Sequence, residues 1–430
     1  MSFSTTCFAW AFALGAATFL AGAAAPAGAE PARVSDPIVI APKGSDPTIV
    51  SDPGGKGAFV AFVRPGPSGA EAVVARAPAE GAVQTIVVSG GDGDIVSSAV
   101  SPARVAVGPK SEVYALYQRR VASDLVESGR GILRLARSAD GGRSFAPPVD
   151  VVSDGVETSV GMADLAIAPD GSSLVAFLDS RDAFARARLP EDQRPKDVRY
   201  IDSDDPVVEL RVARSSDGGA SFAPSVLVAR NASERSHVAL ALGPDGAYHV
   251  SWRAKQNLFK GSYDSVRDVL VAASHDRGAS WSSPIKVHDD RFKAGACPEL
   301  AHGLGIDADG RVHVAWYTGT SRKPGVFHAV SEDGKKGFSE PATLLAAAWI
   351  PYADVKLAID GAGRTWIAYE DRRDDQDERV ALVRLDAQGK AEPVGSWPGR
   401  SPDLAARGGE AVLAWTGPAG DVRIVRAISK

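Results

Sequence analysis

The residues best suited to chemistry form a column of charged and aromatic side chains, each just past a short run of Val, Ala and aromatics. The column reads Arg64, then Arg119 and Arg120, then Asp179, Arg181 and Asp182. It continues with Arg253 and Lys255, then Tyr317, then Glu370, Asp371, Arg372 and Arg373. A guanidinium offers a planar fork of donors that grips a carboxylate or sulfate through two bonds at once. The column therefore fits a polar ligand site. It fits equally a solvated rim where strands meet water, and both readings stand at this level. No motif singles out a catalytic residue.

Metal chemistry has weaker footing. Cys297, Glu299 and His302 lie within six residues, but no second Cys/His pair accompanies them. Asp202, Asp204 and Asp205 lack the glycine and glutamate of a calcium loop. Neither a metal nor a cofactor is expected. The chain has two cysteines, Cys7 and Cys297. Cys7 belongs to an N-terminal leader, so Cys297 is expected to stand alone, without an internal disulfide, as a packed small residue.

The column owes its existence to a repeat, the first thing to look for in a chain of 430 residues. A short apolar strand, a Gly-containing turn and a second Val/Ala/aromatic strand recur seven times. The strand pairs begin at Pro47 and Ala58, Ala103 and Val113, Ala163 and Leu174, and Val238 and Tyr248. The remaining pairs begin at Leu304 and Val312, Val355 and Thr365, and Pro402 and Ala411. Spacing of roughly 50 to 75 residues belongs to propeller blades rather than helical solenoids, and Gly or Asp-Gly closes each hairpin. No amphipathic helix of ten or more residues is evident. The fold class expected is all-β, a single propeller of seven blades, with six as the alternative. Strand Pro37–Ile40 is expected to complete the last blade and remove two free edges.

After the third strand of several units a fixed turn motif follows. It is Ser138-Ala139-Asp140-Gly141-Gly142-Arg143-Ser144-Phe145 in the second unit and Ser215-Ser216-Asp217-Gly218-Gly219-Ala220-Ser221-Phe222 in the third. The fourth carries Ser274-His275-Asp276-Arg277-Gly278-Ala279-Ser280-Trp281. The fifth carries a worn copy, Ser331 to Phe338, with Lys335 at the place of the second glycine. The Asp can accept turn N–H groups, the Gly takes a conformation other residues resist, and the aromatic packs between sheets.

This is the Asp-box, or BNR repeat, and the chain resembles the sialidase-like superfamily of Asp-box propellers over nearly all of residues 30–430. The resemblance implies that the boxes are structural and lie on the face away from a ligand site. The charged column then falls on the opposite face, with two long loops, 183–206 and 254–268, the latter bearing Phe259 and Tyr263. It also implies exo-sialidase chemistry: an arginine triad for the substrate carboxylate, a Tyr nucleophile activated by Glu, and an Asp acid/base. This sequence departs from that pattern. There is no Arg-Ile-Pro motif, only Phe62-Val63-Arg64-Pro65. There are seven units rather than six, and Tyr369 and Glu370 are adjacent, so they point to opposite faces of a strand. Binding of a glycan or a protein through the rim is the leading expectation; an exo-α-sialidase-type hydrolase is the alternative, and another hydrolase or a lyase stays open.

Composition bounds the partners. With 48 basic and 53 acidic residues the net charge is −5, without the basic excess of a nucleic-acid binder. The apolar stretch from Phe8 to Ala25, followed by Ala27-Gly28-Ala29, reads as a secretory signal over residues 1–29, although no Lys or Arg precedes it. The mature chain is then periplasmic or extracellular, with no further membrane span.

Overall fold

Each second strand reads as an unbroken apolar run because both its faces are covered. In Gly57–Gly66, Ala58, Val60 and Phe62 pack into one apolar cluster, while Phe59, Ala61 and Val63 pack into the next. Side chains alternate along a strand, so a sheet buried on both sides needs apolar residues at every position. The computed structural model describes residues 31–54, 57–194, 208–255, 266–293, 301–374, 377–386 and 388–429. The expected leader, Cys297, Glu299, Asp202, Asp204, Asp205, Phe259 and Tyr263 lie outside the described residues.

The strands form seven antiparallel sheets, spanning 45–87, 95–150, 160–229, 239–286, 303–346, 355–398 and 400–428, here called the first to seventh blades. Seven apolar clusters hold them, one at every interface between neighbours. One of these joins Phe62 and Val73 of the first blade to Val412 and Ile424 of the seventh, so the ring is closed. This settles seven blades over six. The closing strand is in fact two short strands, Arg33–Val34 and Ile38–Ala41, both paired with Val422–Ile428.

The expected loop at 183–206 begins differently. Residues Arg181–Ala187 form a short α-helix and Glu191–Gln193 a 3₁₀ turn. Phe184 is 1% exposed and anchors the helix, and an Asp182–Arg186 pair (2.8 Å) spans one turn. The pattern is too short for a helical period to show in the sequence.

The Ser-x-Asp turns sit between third and fourth strands. Asp217 Oδ1 accepts from Ser215 Oγ (2.7 Å), Ala220 N–H (3.0 Å) and Ser221 N–H (3.0 Å), and Gly219 N–H donates to Ser215 Oγ (2.8 Å). Asp140 and Asp276 repeat the pattern. Phe145, Phe222 and Trp281 each pack into the cluster shared with the preceding blade. The fifth copy is re-registered rather than broken. Ser331 Oγ accepts from Gly334 N–H (3.0 Å), one residue earlier than in the other turns. Gly334, with φ of +61°, therefore takes the packing place expected of residue 335.

Candidate functional site

Strand polarity divides the faces. Turns between third and fourth strands carry the boxes, so loops after second strands and between blades emerge on the other face. Every residue of the charged column lies on that face. Its members do not converge on one ligand position.

Most rim arginines already hold acids of their own. Arg64 pairs with Glu71 across its hairpin (3.3 Å) and lines a cleft of about 710 Å³ beside the seventh blade. Arg119 is ion-paired with Asp92. Arg181 bonds Asp154 (2.6 Å) and Asp179 (2.7 Å), and Asp179, fully buried, also accepts from Thr158 Oγ1 (2.7 Å). Arg373 takes Asp371 (2.6 Å), and Arg372 takes Glu378 (2.8 Å).

Three column residues support a different feature, an aromatic cleft of about 590 Å³ between the fifth and sixth blades. Its floor is Phe292 and Tyr317, with ring centroids 6.0 Å apart at 90°, and Tyr352 stands edge-on to both. Trp349, 62% exposed, forms the outer wall. Lys293, Thr320 and Ser321 supply the polar lining. Arg253, fully buried, holds the floor from below. Its guanidinium lies 5.5 Å from the Phe292 ring centre and donates to Tyr317 O (2.6 Å) and Arg267 O (2.9 Å). Burial pulls Arg253 down to about 10, which leaves it charged at neutral pH. Tyr317 Oη donates to Ile350 O (2.8 Å) and Arg372 Nη1 to Tyr352 O (3.3 Å), so both fix the backbone that presents the wall. Burial, and then the neighbouring Tyr352, push the Tyr317 hydroxyl up to about 12, so it stays protonated.

Toward the ring axis lies a second arrangement. One register position on each innermost strand, opposite the residue before the second-strand aromatic, reads Thr48, Arg104, Asp164, Ala239, Gly303, Lys356 and Asp403 around the ring. Where this position is Ala239 or Gly303, the buried imidazoles of His237 and His302 stand nearby, with ring centroids 5.6 Å apart. These polar groups bond from blade to blade. Asp164 accepts from Leu240 N–H (2.9 Å), Asp403 from Ile49 N–H (2.8 Å) and Asp354 from Ala301 N–H (2.9 Å), and Thr48 Oγ1 donates to Ala103 O (2.7 Å). Arg104 contacts His237 Nε2. Since Arg only donates, His237 accepts there, and burial holds its pKa well below the usual range. His302, bonded to Ser251 Oγ (2.7 Å), falls to about 3 for the same reason.

Glu370 belongs to this axial set. Its Oε1 accepts from Ser401 N–H (2.8 Å) and Oε2 from Asp354 N–H (3.3 Å), while Ser401 Oγ (3.0 Å) and Ser97 Oγ (3.0 Å) both donate to Asp46. Burial, and then the neighbouring Asp354 carboxyl, push Glu370 up to about 8. Tyr369 points instead into the apolar cluster between the fifth and sixth blades, as alternation requires. Apart from Glu370 and His302, sequence reading passed over the axial residues, and it passed over the Trp349–Tyr352 wall. The first had a signal, a polar residue at one register in five of seven innermost strands; the second lies in an inter-blade loop without a pattern.

No protein-family model matches the sequence, and no curated protein matches it. Similar folds occur among solved structures. An ulvan lyase described as a new family of polysaccharide lyase has a TM-score of 0.58 at 11% identity, over 92% of this chain and 96% of that one. An α-L-arabinanase of Penicillium chrysogenum has a TM-score of 0.50 at 12% identity, over 92% and 98%. The Hadza microbial sialidase Hz136 gives 0.47 at 13% identity, over 87% and 73%. At such identities the likeness is one of fold: this chain shares the β-propeller architecture found among glycan-active enzymes.

Proposed function

We propose that this chain is an exported propeller that binds a glycan in the aromatic cleft between its fifth and sixth blades. The observation carrying this reading is the exposed Trp349 beside Tyr352, over a buried aromatic floor, with hydroxyl and ammonium groups at the edge. Sugar rings have apolar C–H faces that pack on aromatic side chains and hydroxyls that need nearby polar partners. A cleft of a few hundred Å³ with few polar groups is the usual form of such a site. The glycan-active fold neighbours support the ligand class. The hydrolase alternative gains no specific observation, because most rim arginines that would clamp a substrate carboxylate are committed to internal acids.

The test is calorimetric titration of the mature chain with a panel of neutral and acidic oligosaccharides, beside Trp349→Ala and Tyr352→Ala. A ligand that binds the parent and loses about tenfold or more in affinity with either variant is expected, since an aromatic contact of this type is worth on the order of 1–2 kcal/mol. Binding that survives both substitutions would move the site elsewhere. The same assays monitored for product sugars distinguish binding from turnover. Export is checked by sequencing the N-terminus of the secreted protein, expected at Glu30.

A further inference from the structure

The second and third blades handle one arginine differently. Arg137 immediately precedes the second blade's Asp-box and Arg214 the third's. Register makes them equivalent: Arg137 lies opposite Tyr114, and Arg214 opposite Leu174. Two residues before those partners stand Glu112 in the second blade and Ser172 in the third. Glu112 gives Arg137 a carboxylate at 3.5 Å. Ser172 cannot do the same, and its hydroxyl is turned to Asp170 (2.6 Å). Asp170 in turn pairs with Arg277 of the fourth blade (3.2 Å).

Arg214 is left with no ion-pair partner among the described residues, and its Nε has no hydrogen bond. Beside it, Ser173 is 2% exposed and its Oγ is also without a partner. Buried polar groups rarely stay unpaired. Arg214 and Ser173 line a cavity of about 270 Å³ with Ser172, Tyr248 and Arg277. It opens on the Asp-box face, away from the aromatic cleft.

We propose that this inter-blade cavity is an oxyanion site, taking a sulfate, phosphate or carboxylate group in the place that Glu112 fills in the second blade. Arg214 supplies the fork and Ser173 a hydroxyl, while Arg277 at the rim stays paired with Asp170. The site is independent of the glycan cleft and rests on a carboxylate that the second blade has and the third lacks.

The test uses the full mature chain titrated with sodium sulfate, and separately with inorganic phosphate, at constant ionic strength, followed by calorimetry and melting temperature. Saturable binding of one anion per chain is expected. Ser172→Glu rebuilds the internal pair and is expected to weaken binding about tenfold or more while leaving the anion-free melting temperature unchanged or higher. Arg214→Gln should weaken it likewise. Absence of saturable binding in the parent, or binding untouched by Ser172→Glu, overturns the proposal. A sulfated oligosaccharide that competes with sulfate and binds more tightly assigns the group to a polymer; one that binds no tighter assigns it to the free ion.

Discussion

Glu370 shows how far a single side chain can depart from its type. It lies at the end of a second strand, where the column of charged residues suggests a solvated carboxylate, yet it is 7% exposed. Both oxygens accept backbone N–H groups, from Ser401 and Asp354. Burial and the adjacent Asp354 push it up to about 8 from an unfolded value near 4.5. Between those values the folded chain holds a proton that the unfolded chain has released. Stability from this group is therefore fully present below about pH 4.5 and is lost as pH rises through about 8. The expected result is a stability that declines from pH 5 to pH 8 in denaturant unfolding, by on the order of 2–4 kcal/mol for a group this buried. Glu370→Gln cannot titrate, so it should flatten the decline, while its NH2 group gives up one of the two accepted N–H bonds. A slope unchanged by the substitution would place the proton on another group of the axial set. The column's arginines carry the complementary lesson. Arg253 and Arg181 look alike in sequence, but one props an aromatic floor through backbone carbonyls and the other holds two aspartates.

At the scale of the element, the box turn is a contact between blades as much as a turn. Gly219 has φ of +85°, and a Cβ placed there would stand 2.8 Å from Leu135 Cδ2 of the preceding blade. Gly246, with φ of +81°, has nothing within 4 Å of such an atom. Both substitutions to Ala incur the left-handed backbone cost of about 1 kcal/mol, and Gly219→Ala adds overpacking of about 1–3 kcal/mol. Gly219→Ala should thus lower the melting temperature clearly more than Gly246→Ala, and equal losses would mean that the blade contact gives way freely. This contact explains what was legible. Strand runs and hairpin glycines were legible because each is set by local backbone needs repeated in every blade. In the worn fifth copy the Ser331 hydroxyl takes the N–H one residue earlier, so Gly334 occupies the packing place. The aromatic cleft was invisible because Phe292, Trp349 and Tyr352 come from inter-blade loops, which vary without a period. The axial polar ring lay in plain view, as Thr48, Arg104, Asp164, Lys356 and Asp403 at the second position of five quoted strands. Its meaning required knowing that those positions face one another.

The whole molecule depends on how the ring is shut, because a propeller has no end-to-end sheet to stop its first and last blades from parting. Two devices act at this seam. The N-terminal strands Arg33–Val34 and Ile38–Ala41 pair with Val422–Ile428, and Ile40 and Ala41 are buried in the cluster that joins the first and seventh blades. Near the axis, Asp403 accepts from Ile49 N–H and Ser401 donates to Asp46, so the same two blades are bonded at the inner edge. The outer device draws on residues far apart in sequence, so its loss cannot be repaired locally. Starting the chain at residue 42 exposes Val422 and Ile424 and frees one edge of the last strand. The expected cost is about 3–5 kcal/mol, from the buried Ile40 side chain and the lost ladder bonds. Unfolding should begin in the seventh blade, read as early hydrogen exchange in 410–428 while the third and fourth blades stay protected. A synthetic peptide of residues 31–44 added in trans should restore both protection and melting temperature in a concentration-dependent way. If the truncated chain melts like the parent, closure rests on the axial bonds alone, and Asp403→Ala then becomes the substitution that opens the ring.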